Sequence, residues 1–111
     1  MKLIFAVVRE DDSSAAVKEL IAKKFGVTKL SSTGGFLKKG NSTLMIGTED
    51  ENVEEVMKIL EATCAKREET EVVVPYMPES ARMVNYVYTP IKVEVGGATV
   101  FVVDVAEFRK I

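Results

Sequence analysis

Apolar and polar residues alternate with different periods along the chain, and each period predicts an element. Leu3–Val8 is an unbroken apolar run, Leu-Ile-Phe-Ala-Val-Val, closed by the charged cluster Arg9–Asp12. A run of that length rich in branched residues predicts a central strand covered on both faces. Asp11, Asp12, Ser13 and Ser14 then offer helix N-caps. Val17, Leu20, Ile21 and Phe25 recur at helical spacing, with Lys18, Glu19 and Lys23 facing away. Gly26 follows as a stop signal, so the spacing predicts a helix over 13–25.

Val27–Thr33 reads as a second strand, bent at Gly34-Gly35. Phe36-Leu37 continues it, and Lys38–Asn41 reads as a turn. Ser42–Gly47, carrying Leu44, Met45 and Ile46, is predicted as a third strand. Thr48 and Glu51 match a capping box for a second helix. Its apolar stripe is Val53, Val56, Met57, Leu60 and Cys64, with Lys66 and Arg67 near its end. Thr70–Val74 is the fourth strand. Residues 75–90 hold all three prolines, all three tyrosines and two of the five methionines. A loop this long inside a compact domain is usually functional, and its aromatic content predicts packing against something. Ile91–Val95, Gly96-Gly97 and Thr99–Val105 give a hairpin signal, because paired glycines supply the positive φ angles of a tight turn. Ala106–Ile111 is a short tail with Phe108 as its anchor.

The order strand, helix, strand, strand, helix, strand is that of a ferredoxin-like βαββαβ sandwich. The fold class is α+β, with an additional C-terminal β-hairpin. Both helices cover one sheet face. No further helix remains for the other face, so closed packing between subunits is expected.

Composition narrows the chemistry. The 111 residues suit a single domain spanning 1–111. A net charge of −2 argues against a nucleic-acid polymer as partner. The charge is uneven, however: no acidic residue lies between Glu19 and Glu49, whereas Lys23, Lys24, Lys29, Lys38 and Lys39 do, which suits a local anion site. One cysteine, Cys64, forbids an internal disulfide and fits a reducing cytoplasm. The absence of histidine excludes Ser-His-Asp and Cys-His catalysis and histidine-ligated metals. The first strand is too short to span a membrane, and no small-residue cleavage site follows it. The carboxylate pairs Asp11-Asp12 and Glu54-Glu55 read as cap and solvated-helix residues. No Walker-type or dinucleotide-fold glycine motif is present. The expectation is therefore a binding protein, with no catalytic residue, no metal and no cofactor.

Residues 28–47 concentrate the groups a nucleotide needs. Gly34 and Gly35 let backbone N–H groups approach an anion. The Thr28 hydroxyl can donate to a phosphate oxygen. Phe36 can stack on a purine, worth about 1–3 kcal/mol. Asn41 offers the donor–acceptor pair that reads an adenine edge.

Thr28-Lys29-Leu30-Ser31-Ser32-Thr33-Gly34-Gly35-Phe36-Leu37-Lys38-Lys39-Gly40-Asn41 resembles the signature of the PII-like cyclic di-AMP receptors. Val93-Glu94-Val95-Gly96-Gly97-Ala98-Thr99-Val100-Phe101-Val102 resembles that family's second block. The resemblance implies a homotrimer with one nucleotide site per subunit boundary and a downstream protein whose identity it leaves open. By that likeness Thr28 contacts phosphate, and Gly35, Phe36 and Leu37 line the pocket. Asn41 and the Gly47 backbone read adenine, and Phe101 adds apolar wall. Residues 75–90 correspond to the family's large ligand-responsive loop, and the Gly34-Gly35 hairpin to its smaller one. Two positions depart. Gly26 stands where an arginine commonly holds phosphate, with Lys24 or Lys29 as candidate replacements. Lys110 stands where a glutamine often enters the neighbour's site. A PII-type regulator binding ATP or ADP is the alternative expectation, although such proteins usually carry a longer loop between the second and third strands. A small ferredoxin-like phosphatase is a third, without a matching arginine–asparagine phosphate motif.

Overall fold

In a computed structural model, the described residues are 1–31, 40–73 and 89–111. In chain order they form β1 (Lys2–Arg9), α1 (Glu10–Ala22), β2 (Gly26–Ser31) and β3 (Asn41–Thr48). A 3₁₀ turn (Asp50–Asn52), α2 (Val53–Cys64), β4 (Arg67–Val73), β5 (Thr89–Val95) and β6 (Ala98–Asp104) follow. β2, β3, β1 and β6 make an antiparallel sheet in that order, and β4 and β5 pair separately as a two-stranded ribbon.

The strand order matches a ferredoxin-like sheet with one change. β6, not β4, occupies the fourth place beside β1. This corrects the expected hairpin. Gly96 and Gly97 do adopt positive φ, +83° and +93°, as the turn chemistry requires. They carry the chain from ribbon to sheet instead of folding β5 onto β6. The Gly97 N–H donates to the Cys64 carbonyl at 2.5 Å, so the chain returns to the end of α2, where it left.

Alternation along the strands separates two sheet faces. Ile4, Ala6 and Val8 from β1 and Leu44 and Ile46 from β3 point to the helices. There they bury Ala16 and Leu20 of α1 and Val56, Ile59, Leu60 and Cys64 of α2. Each large aliphatic side chain so buried contributes about 1.5–3 kcal/mol. Burial pushes the Cys64 thiol pKa up, so it sits here as a small hydrophobe.

Helix boundaries differ from the periodicity in instructive ways. α1 starts at Glu10, ahead of the predicted 13, and places Glu10, Asp11 and Asp12 in its first turn, where the dipole favours them. It ends at Ala22, and Gly26 belongs to β2. The stop is instead Lys24, at φ +66°. The Lys24 N–H donates to the Ile21 carbonyl at 2.9 Å and the Phe25 N–H to that of Leu20 at 2.9 Å, a Schellman closure built without glycine. Ile21 is 60% exposed and outside the stripe. Thr48 is the buried last residue of β3 and caps nothing; a 3₁₀ turn leads into α2 with no side-chain cap. Arg67 begins β4 instead of ending α2. Phe108 is 65% exposed, so it anchors nothing within the subunit. The expected loop 75–90 lies outside the described residues, apart from Thr89 and Pro90, which begin β5.

Candidate functional site

The face of the sheet turned away from the helices carries the sequence candidates. On β2 it presents Thr28 and Leu30, on β3 Asn41, Thr43, Met45 and Gly47. β1 adds Leu3, Phe5 and Val7, and β6 adds Thr99, Phe101 and Val103. Thr28, Met45, Phe5 and Phe101 pair in one row across all four strands. Among the described residues, no helix covers this face. Phe101 is 47% exposed and Leu30 and Val103 are also open to solvent.

Spacing decides which candidates meet. Thr28 and Phe101 sit on opposite edge strands, three inter-strand steps or about 14 Å apart. Asn41 and Gly47 share β3, six residues or about 20 Å apart. The chain therefore brings Thr28 near the middle of β3, between Asn41 and Gly47, and holds Phe101 away. Lys110 is exposed in the tail beyond β6. Gly34, Gly35, Phe36 and Leu37 lie outside the described residues.

Lys29 goes elsewhere. It alternates to the helix side, where its Nζ donates to Glu10 Oε1 at 2.8 Å. The Ser42 hydroxyl donates to Glu10 Oε2, and the Glu10 N–H donates to the Gly40 carbonyl at 2.7 Å. The Lys29 ammonium, followed by the Ser42 hydroxyl, holds the Glu10 carboxyl below the usual carboxylate range. Lys24 has the opposite placement. With Lys23, Gly26, Gly47, Glu49 and Glu55 it lines a polar cleft of about 320 Å³ at the end of the sheet, between the end of α1 and the start of α2. Gly26 and Gly47 are register partners, and a Cβ on either would meet nothing within 4 Å.

A second ion pair lies on the other side of α1. Arg67 grips the buried Asp12 carboxylate with both terminal nitrogens, Nη2–Oδ1 at 2.8 Å and Nη1–Oδ2 at 3.3 Å. Such a fork is the strongest arrangement for this pair. Sequence reasoning missed Glu10, Asp12 and Arg67 as a group, because no spacing rule links residues 10 and 42 or 12 and 67.

Among the described residues, no cluster of three or more His, Cys, Asp or Glu could hold a metal, and no helix is long and apolar enough to cross a membrane. The sequence model of the cyclic-di-AMP receptors matches residues 1–111. A crystal structure of a protein from Pediococcus pentosaceus, described as functionally unknown, is similar at 40% identity and a TM-score of 0.75. That match covers 99% of this chain and 96% of the other.

Proposed function

Since the chain belongs to the cyclic-di-AMP receptor family, we propose that it is a cytoplasmic signal-transduction protein that binds cyclic di-AMP between subunits of a homotrimer. The observation that carries this reading is the open sheet face. It holds Thr28 on one edge strand, Asn41 and Gly47 on the strand beside it, and Phe101 on the opposite edge strand, about 14 Å from Thr28 across the sheet. A second copy laid on that face would bring its own Phe101, and the tail with Lys110, to the Thr28 edge. It would also cover Leu3, Phe5, Val7 and Met45, which no helix reaches.

The ligand has two adenines flanking a ring of two phosphates, and β3 has a matching layout. Thr28, in register with Met45, stands between Asn41 and Gly47. In this reading Thr28 donates to phosphate, Asn41 reads one adenine edge and the Gly47 backbone the other. Gly34, Gly35, Phe36 and Leu37 close the pocket from the segment between β2 and β3. Lys24, in the cleft with Gly26, supplies cationic charge near the position where the family's arginine is missing. In this reading binding reorders the loops that join β2 to β3 and β4 to β5, and a downstream protein reads the change. No bond is made or broken.

Calorimetry with cyclic di-AMP tests the proposal, with ATP and ADP as comparison ligands. Saturable heat with cyclic di-AMP alone is expected, at one ligand per subunit. No heat at about 100 µM ligand, where a micromolar binder would saturate, would sink it.

A further inference from the structure

Every polar group of Glu10 is engaged, and its N–H and both carboxylate oxygens reach the β2–β3 pair or the turn residue that leads into β3. Its N–H donates to the Gly40 carbonyl, Oε1 receives the Lys29 ammonium and Oε2 receives the Ser42 hydroxyl. Its own carbonyl accepts from Ser13 Oγ at 2.7 Å, which ties it back into α1. Lys29 lies on the strand entering the segment between β2 and β3. Ser42 lies on the strand leaving it, and Gly40 is the turn residue just before that strand. One side chain thus holds both legs of that hairpin.

The candidate ligand contacts sit next to Glu10's partners in the chain. Thr28 precedes Lys29, and Asn41 stands between Gly40 and Ser42. The pleat sends Thr28 and Asn41 to the open face and Lys29 and Ser42 to the helix side. The Lys29 ammonium is therefore across the sheet from Thr28, engaged with a carboxylate.

We propose that Glu10 is the positioning residue of the cyclic di-AMP site, and that Lys29 acts on the ligand through Glu10 without touching it. This rests on the reading of the open face as the ligand site. A simple charge argument has the opposite sign. A carboxylate near a dianion repels it, so if Glu10 contributed only charge, removing it would tighten binding. Freeing Lys29 to reach the anion would tighten it further. If Glu10 positions the hairpin, its loss leaves two legs to be ordered at the moment of binding, and affinity falls.

The test uses the full chain with Glu10→Gln, Lys29→Met, the double variant and Glu10→Asp. Glutamine keeps the length but loses the charge, leaving a neutral carbonyl to accept from the Lys29 ammonium and an amide to face the Ser42 hydroxyl. Aspartate keeps the charge but is one methylene short of spanning Lys29 and Ser42. Amide hydrogen exchange without ligand should rise on both legs, over 26–31 and 41–45, in every variant. The central part of β1 should stay protected. Calorimetry with cyclic di-AMP should show each single variant weakened about tenfold, and the double no weaker than the weaker single, because both act through one bond. Melting temperature checks that each variant folds, and Glu10→Asp serves if the others do not. Wild-type or tighter binding by Glu10→Gln overturns the proposal. So does full additivity of Glu10→Gln and Lys29→Met, the signature of an independent ligand contact by Lys29. Absence of heat with the unaltered protein overturns the ligand reading alone. Exchange then still decides the clamp, and unchanged protection on both legs overturns it.

Discussion

At the scale of single residues, two positions make opposite use of backbone freedom. Lys24 closes α1 at φ +66°, a region where an L side chain pays steric cost. Lys24→Gly should raise stability by about 0.5–1 kcal/mol in thermal or urea unfolding. The same change should weaken cyclic di-AMP binding if the Lys24 ammonium serves the cleft with Gly26 and Gly47. Gly26 has the converse character. Its φ is unexceptional and its missing Cβ leaves open space. Gly26→Arg should therefore fold normally and place a guanidinium on the open face beside Gly47. A new charge-assisted bond to phosphate is worth about 1.5–3 kcal/mol, so affinity should rise roughly ten- to a hundredfold by calorimetry. Unchanged affinity would mean that phosphate does not sit at that end of β3. Part of the candidate site's placement is legible in the sequence, because alternation puts Asn41 and Gly47 on one face of their strand, but the register that brings Thr28 to that face is not. The destination of Lys29 is not legible. A lysine in a strand shows its side of the sheet, but only the fold shows that Glu10 waits there.

At the scale of elements, βαββα could be read directly from periodicity, because each period persists long enough to identify its element. The last three strands could be read as strands too, but not how they pair. Gly96-Gly97 correctly signals positive φ, yet turn chemistry fixes only the local path and not the strand to which the chain returns. Strand pairing is a long-range choice. β4 and β5 find each other, while β6 takes the free edge of β1. The Asp12–Arg67 fork joins the first turn of α1 to the first residue of β4, and so holds the root of the ribbon. Arg67→Met strands a buried carboxylate and should lower the melting temperature by several degrees. Pairing it with Asp12→Asn should recover much of the loss, since the buried charge is then gone. Equal losses in the single and double variants would show that the fork adds nothing beyond packing.

At the scale of the whole molecule, the helices cover half of the sheet's apolar surface. The other half presents Leu3, Phe5, Val7, Met45, Phe101 and Val103 in adjoining rows. A patch of that kind on a small domain marks an interaction surface. Phe5 lies at its centre, between Met45 and Phe101. Phe5→Glu should convert the proposed trimer to monomers in sedimentation while leaving helix and strand content unchanged by circular dichroism. A trimer that survives the change would place the subunit contact elsewhere.

The Gly97–Cys64 hydrogen bond gives the architecture a simple grammar. Residues 65–96 depart from the end of α2 and come back to it, so the ribbon is a parenthesis inside a sentence that reads β3, α2, β6 without it. Its length and tip can change while the strands that carry Thr28, Asn41, Gly47 and Phe101 keep their register. Evolution can therefore rewrite the ribbon without editing the strands that carry the proposed ligand contacts. Such a layout permits relatives that share these four strands and differ in the ribbon.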